Sequence, residues 1–320
     1  MHPASAFLLA LLVVSSAAAQ EWPAKPVRII VPFPPGGAAD AMPRIVGEKL
    51  SARLGQPFVV ENRAGATGAI AGELVSRAEP DGYTFMSTPP APLVINPFLF
   101  TRLPYDPAQF VPVSVMASIP SVLLVNPRIQ AASVQDFVGL VRANPGRLNY
   151  ASQGTTSVSF LTTEMFLAAA GGLKVQHVPY KGTGPALTAT LSGEADLFFD
   201  NLGTSLPHVR SGRLKALAVC GERRHPSLPD VPAMNELYPG FVSVAWFGIV
   251  APPRTPSSVA EKLSSAINEV LRMPEVLKRL ADLSAEPIGM PPAEMARFMK
   301  QDAERWREAI RTAGVKPGEL

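Results

Sequence analysis

The sequence predicts an α/β fold, and three observations carry that expectation. Short apolar strands and helix-periodic segments alternate along most of the 320 residues, the pattern that lays helices against a sheet. Val27–Asp40, VRIIVPFPPGGAAD, joins a strand to a helix through a turn of prolines and two glycines. Apolar residues make up 47% of the chain, enough for a sizeable core and about two domains of ordinary size.

Val27 to Val31 reads as the first strand. Met42, Ile45, Val46, Leu50 and Leu54 then fall at helical spacing, and Gly55 stands where a C-cap belongs. Gly36 and Gly37 let backbone N–H groups face outward, and the first helical turn adds unpaired donors and a partial positive charge. Strand, glycine turn and helix start make a place for an anion. An ordinary connecting loop with Asp40 as its helix cap has the same pattern, so both readings stand at this point.

Phe58–Asn62 reads as a second strand, ending in the glycine-rich turn Arg63–Gly68 that opens a helix at about Ala69–Ala78. Asp81-Gly82 makes a turn and Tyr83–Ser87 a third strand. Pro89 to Pro112 is proline-rich and weakly periodic, so it is expected to be an irregular crossing segment packed by Phe98, Leu99, Phe100 and Tyr105. Val122–Asn126 is strand-like. Ser133 with Asp136 imitates a capping box for a helix over Val134–Asn144. Asn149–Ser152 begins another strand–loop–helix unit, whose helix carries Leu161, Met165, Phe166 and Ala169. A strand over Val175–Pro179, a helix over Ala186–Leu191 stopped by Gly193, and a strand over Ala195–Phe199 follow. Leu202–Val209 reads as a helix, Leu214–Cys220 and Phe241–Val250 as strands. Two helices are expected to close the chain. The first has Pro256 in its first turn and a Ser258–Glu261 capping box. The second carries Met295, Phe298, Met299, Trp306 and Ile310 as one apolar core stripe ending at Gly314.

Ala6–Val14 is a short apolar core, and the small residues through Ala17-Ala18-Ala19 supply a cleavage site, so residues 1–19 read as a signal peptide and the mature chain starts near Gln20. Only His2 precedes the apolar core where a Lys or Arg is usual. Lys and Arg number 29 against 26 Asp and Glu, a net charge of +3. That excess is mild, and no basic run or nucleic-acid signature is present. Cys220, the single cysteine, lies in an apolar run and reads as a buried hydrophobe. No G-x-S-x-G, S-x-x-K, H-E-x-x-H or Walker A pattern occurs. The four histidines, His2, His177, His208 and His225, lack metal-ligand spacing. No cofactor, metal or enzymatic activity is expected.

Eight blocks appear in one order: VRIIVPFPPGGAAD, VVENRAGATG, EPDGYTF, HVPYKGTGPAL, LSGEADLFFDN, LKALAV, RRHPSLPDVP and WFGIVAPPRTP. Together they resemble the extracytoplasmic solute-binding proteins of tripartite tricarboxylate transporters, the Bug or TctC family, from about Trp22 to Gly314. The resemblance implies a two-lobed periplasmic-binding-protein fold of type II-like form with the ligand cleft between lobes. Lobe one would hold residues 20–119 and 221–320, and lobe two residues 120–220. It implies capture of a small carboxylate in the periplasm, whether a di- or tricarboxylate, an aromatic acid or an acidic amino acid. A two-subunit membrane permease would be the partner, and the carrier would be a monomer.

Carried over to matching positions, the resemblance places Pro35, Gly36, Gly37 and Ala38 in the first-lobe ligand loop and Thr88 on the same side of the cleft. Ser152, Thr155, Thr156 and Ser157 match the second-lobe loop. Tyr180 and Asp200 match positions near the cleft, with a structural turn and a helix cap as their respective alternatives. Trp246 either walls the cleft or packs the crossover. The second-lobe loop departs from the family's usual glycine-x-glycine, and Thr156 would then narrow the cleft or add a hydroxyl donor. Two rival functions remain: an exported α/β enzyme acting on an anionic substrate, with Asp200 and Tyr180 as its candidate pair, and the binding component of a sensory system.

Overall fold

The computed structural model describes residues 22–318, so the signal peptide expected over residues 1–19 lies outside the described residues. The chain opens with β1 (Val27–Val31), α1 (Ala38–Leu54), β2 (Phe58–Asn62), α2 (Ala69–Ser76) and β3 (Thr84–Thr88). A short α3 (Asn96–Leu99) leads into β4 (Val111–Val125). Then come α4 (Val134–Ala143), β5 (Asn149–Ser152), α5 (Val158–Ala169), β6 (Gln176–Pro179), α6 (Thr183–Ser192), β7 (Leu197–Asn201), α7 (Leu202–Arg210) and β8 (Lys215–Val219). The chain returns through α8 (Met234–Leu237) to β9 (Val244–Ala251), α9 (Ser257–Val270), α10 (Pro274–Asp282), β10 (Glu286–Met290) and α11 (Pro292–Ala313).

The strands form two sheets that share β4, which gives the mixed α/β fold its two lobes. In the first sheet β1 lies parallel between β2 and β3, and β9 runs antiparallel between β3 and β4. In the second, β5 lies parallel between β6 and β7, and β4 runs antiparallel between β7 and β8. The change of partner falls inside β4. Val111–Pro120 pairs with β9, and Ser121–Val125 pairs with β7. Backbone bonds tie the outgoing and returning chain together there. Ser121 N donates to Ser243 O at 3.0 Å, Ser243 N to Cys220 O at 2.8 Å, and Cys220 N to Ser121 O at 2.7 Å.

Most predicted elements appear within a few residues of their expected bounds, and four differences have physical causes. β4 is 15 residues long, whereas only its last third reads as a strand in the sequence. Pro112 and Pro120 interrupt the pattern, and register shifts at Pro112/Ser114 and Val115/Ala117 absorb the irregularity. The crossing segment Pro89–Pro112 is correspondingly shorter and contains α3. α9 starts at Ser257 with Pro256 as its N-cap and no side-chain capping bond, so the Ser258–Glu261 capping box does not form. α10 and β10 were not expected, because Pro287 and Gly289 hide a strand that sits at a sheet edge. The Ser133 cap does form, with Asp136 N donating to Ser133 Oγ at 3.1 Å.

Met295, Trp306 and Ile310 of α11 are buried, with Phe298 and Met299 packed against them. Cys220 is fully buried, and burial pushes its thiol well up from the ordinary value. One contact is unusually close: α7 rests its Gly203 backbone on the link between α10 and β10. A Cβ at Gly203 would stand 1.8 Å from the Leu283 carbonyl oxygen.

Candidate functional site

The turn after β1 runs Pro32–Gly37 and ends at the start of α1. Asp40 brackets it from within the helix. Its Oδ2 accepts from Gly36 N at 3.3 Å, and its Oδ1 accepts from Arg44 Nε at 3.0 Å and Asn62 Nδ2 at 2.9 Å. Burial pushes the Asp40 carboxyl up, but these donors more than offset it and hold the group below its ordinary value. Asp40 thus fixes the shape of the turn.

Facing this turn across the crossover stand the β5–α5 loop, the start of α6 and the end of β7. The two sides meet closely. A Cβ on Gly37 would lie 3.2 Å from Thr183 Oγ1, one on Gly182 3.2 Å from Pro34 Cδ, and one on Gly154 3.2 Å from Thr67 Oγ1. Between them lies a narrow cavity.

Three helices present their first turns to this cavity, and the N-cap of a fourth, α7, lies on its wall with its N–H taken by Asp200. Gly37 and Ala39 belong to the start of α1, Ser157 and Ser159 to α5, Thr183 and Gly184 to α6, and Asn201 to α7. The leading N–H groups of a helix have no partner within it, and the helix dipole adds a partial positive charge. Among the described residues lining the cavity there is no Lys, Arg or His. The arrangement favours an anion through backbone donors.

Asp200 lines the same cavity, and its carboxylate is filled by protein donors. Oδ1 accepts from Gln153 Nε2 at 2.9 Å, and Oδ2 from Thr204 Oγ1 and Ser205 Oγ, each at 2.7 Å. Burial pushes its pKa up, against the pull of these donors and of the Asn201 N–H. Gln153 is the organiser. Its Nε2 also donates to Thr183 Oγ1 at 3.0 Å, and its backbone N donates to Ser159 Oγ at 2.9 Å.

Of the residues singled out in the sequence, Pro35, Gly37, Ser157 and Asp200 lie on this inner wall. Gly36 and Ala38 flank Gly37. Thr155 and Tyr180 line an outer vestibule beside Gly154 and Lys181, and the Tyr180 hydroxyl donates to Glu194 at 2.7 Å. The other four line neither wall. Thr88 is buried with Oγ1 donating to Pro89 O at 2.9 Å. Thr156 is fully buried, so it does not narrow the cleft or offer it a hydroxyl. Trp246 projects from the face of β9 opposite Ala245 and Phe247, which line the cavity. Its Nε1 donates to Asp302 at 2.7 Å and its ring meets Phe298 edge-on, so it packs the crossover. Gln153, Ser159, Thr183 and the apolar walls Phe33, Phe199 and Phe247 were missed. The available signal was that Gln153, Ser159 and Thr183 sit where a strand has just ended and a helix begins.

Ser152 lies beneath the loop, 2.7 Å from His177 Nε2. His177 stacks on Tyr150 at 4.7 Å between centroids, and burial lowers its pKa to about 4. In the unfolded chain the imidazole takes a proton near 6.5, so folding must exclude that proton in acid. Stability is therefore expected to be lost as pH falls from about 6.5 to about 4, by roughly 3 kcal/mol at most from this group. Urea unfolding at pH 7 and pH 4.5 measures the loss. His177→Gln should flatten it, and an unchanged pH dependence in that variant would contradict the assignment.

A family model described as the tripartite tricarboxylate transporter family receptor, TctC, matches residues 42–315. The chain belongs to this family. TctC proteins are solute-binding receptors, a family of binding proteins and not of enzymes. BugT of Bordetella pertussis is 36% identical over 313 residues, 97% of this chain and 96% of its own. Among solved structures, R. palustris Rpa4515 with adipate matches with a TM-score of 0.89 at 34% identity, covering 93% of this chain and 100% of that one. MatC from Rhodopseudomonas palustris with bound malate matches with a TM-score of 0.85 at 32% identity, covering 90% and 100%. The TctC fold is thus the periplasmic-binding-protein fold, with its two lobes. No helix among the described residues of this TctC chain is long and apolar enough to cross a membrane.

Proposed function

We propose that this chain is a periplasmic receptor that captures a small carboxylate by closure of its two lobes and hands it to a two-subunit membrane permease. The observation that carries the reading is the convergence of the starts of α1, α5 and α6 on one cavity whose walls, among the described residues, hold no cationic side chain. A carboxylate there gains hydrogen bonds from backbone N–H groups, directly or through ordered water. Capture by fixed dipoles also leaves the ligand free to depart when the lobes part, as a carrier requires. Family relatives hold adipate and malate, both dicarboxylates.

Lobe one is taken as residues 20–119 with 221–320 and lobe two as residues 120–220. The hinge is then the crossing at Ser121, Cys220 and Ser243. The return segment rides on the second lobe, where Tyr238 packs edge-on against Phe166. Residues 1–19 would direct export, and the mature chain would act as a monomer. Pro35 to Ala38, Ser157, Thr183 and Gln153 are the inner contacts on this reading, with Thr155 and Tyr180 at the mouth.

An enzymatic role for Asp200 and Tyr180 is disfavoured. Asp200 spends both oxygens on protein donors, and the Tyr180 hydroxyl is engaged by Glu194 in a different cavity.

A thermal-shift screen of the refolded mature chain against mono-, di- and tricarboxylates tests the proposal. A ligand at about 100 times its Kd adds roughly 2.7 kcal/mol of stability, so one or a few acids should raise Tm clearly. No shift with any acid would contradict it.

A further inference from the structure

Resting on the carboxylate reading, we infer that the captured acid has a hydrocarbon body without hydroxyl groups, a ring or a plain methylene chain. The inner cavity divides its chemistry sharply. Away from the helix starts its wall is Phe33, Pro89, Phe199, Ala245 and Phe247, with Val158 at the edge of the α5 turn. These offer carbon surface, and the one hydroxyl beside them, on Ser121 of β4, faces Ser243 Oγ at 3.5 Å.

The polar side chains on the wall are mostly committed to one another. Both N–H groups of the Gln153 amide are used, on Asp200 and Thr183. Ser157 Oγ donates to Gly154 O at 2.7 Å and accepts from Phe160 N at 3.2 Å. Ser159 Oγ accepts from Gln153 N, and the Asp200 oxygens are filled. The capacity that remains is the Gln153 Oε1, the Thr183 hydroxyl and the Asn201 amide. All three stand at or next to helix starts, beside the N–H groups that hold the carboxylate. A hydroxyl carried further along the ligand would give up its water and face aromatic or proline carbon. A buried polar group left without a partner is costly, whereas carbon surface buried there is favourable.

Calorimetric titration of the refolded mature chain with matched pairs tests this inference. Adipate and galactarate share a six-carbon diacid skeleton, and the second carries a hydroxyl on each inner carbon. Phenylacetate and 4-hydroxyphenylacetate differ by one hydroxyl, carried on the ring away from the carboxylate. The unhydroxylated member of at least one pair should bind more tightly, by roughly tenfold or more per buried hydroxyl. The adipate pair responding marks a chain, and the phenylacetate pair a ring. Equal or tighter binding of the hydroxylated member in every pair that binds would overturn the inference and leave the carboxylate reading standing. Binding of neither member of either pair would overturn it too. The thermal-shift panel then tells whether the carboxylate reading falls with it, by whether any other acid binds.

Discussion

Gly37→Leu is expected to abolish ligand capture, weakening Kd by roughly 100-fold or more (about 2.7 kcal/mol), while leaving the fold close to its original stability. Gly37 sits at φ −96° and ψ 172°, extended backbone that any residue adopts, so the change introduces no backbone strain. The space is what forbids it. A Cβ there already reaches within 3.2 Å of Thr183 Oγ1 on the opposite lobe, and a leucine extends past that point. The side chain must hold the lobes apart or occupy the cavity. Titration with the acid identified in the panel reads the loss, and urea unfolding reads the retained fold. Ligand bound as tightly as by the unaltered chain would contradict the cleft assignment. Gly36→Ala should behave in the opposite way. Gly36 has φ +97° with open space at its Cβ position, so it should lose roughly 1 kcal/mol of stability and little affinity.

The second large effect is expected at a residue that touches no ligand. Gly203→Ala should destabilise the fold by roughly 3 kcal/mol or more, at the upper end of what overpacking costs. The added Cβ would stand 1.8 Å from the Leu283 carbonyl oxygen and 2.8 Å from its Cα. That neighbour is backbone, held between α10 and β10, and cannot swing away as a side chain would. Relief requires α7 to move, and α7 begins immediately after Asp200 and Asn201, so binding should weaken with stability. Gly139→Ala is the control. Gly139 is exposed in α4 with nothing near its Cβ position, so it should gain roughly 0.5–1 kcal/mol from helix propensity. Equal melting of the Gly203 variant and the unaltered chain would contradict the packing described for α7.

The parts of the fold legible in the sequence are those where the hydrophobic period changes cleanly at a glycine. β1, its turn and α1 are the clearest case, since Gly55 ends the helix in a left-handed C-cap. The ordered motifs identified the family and with it the two-lobed plan. β4 was opaque because its two prolines deny the alternation that marks a strand, yet register shifts let it pair along its length. Trp246 was ambiguous for another reason. β9 is buried on both faces, so Ala245, Trp246 and Phe247 read as one apolar run with no sign of which side faces the cavity. Gln153 could not be weighed from local sequence. Its importance comes from Thr183 and Asp200, which lie 30 and 47 residues further along the chain. Resemblance located the loops that form the cleft. Which side chains inside those loops face the cavity was decided by local packing and capping, as with Thr156 buried away from the cavity while Ser157 caps α5.

The account's central claim is that helix starts, without a cationic side chain, select a negative charge. Calorimetric titration of the refolded mature chain with the acid found in the panel, and with its uncharged primary amide, tests that claim most directly. The account predicts binding of the acid and at least tenfold weaker binding of the amide. Equal binding of the two would show that charge is not what the cleft recognises.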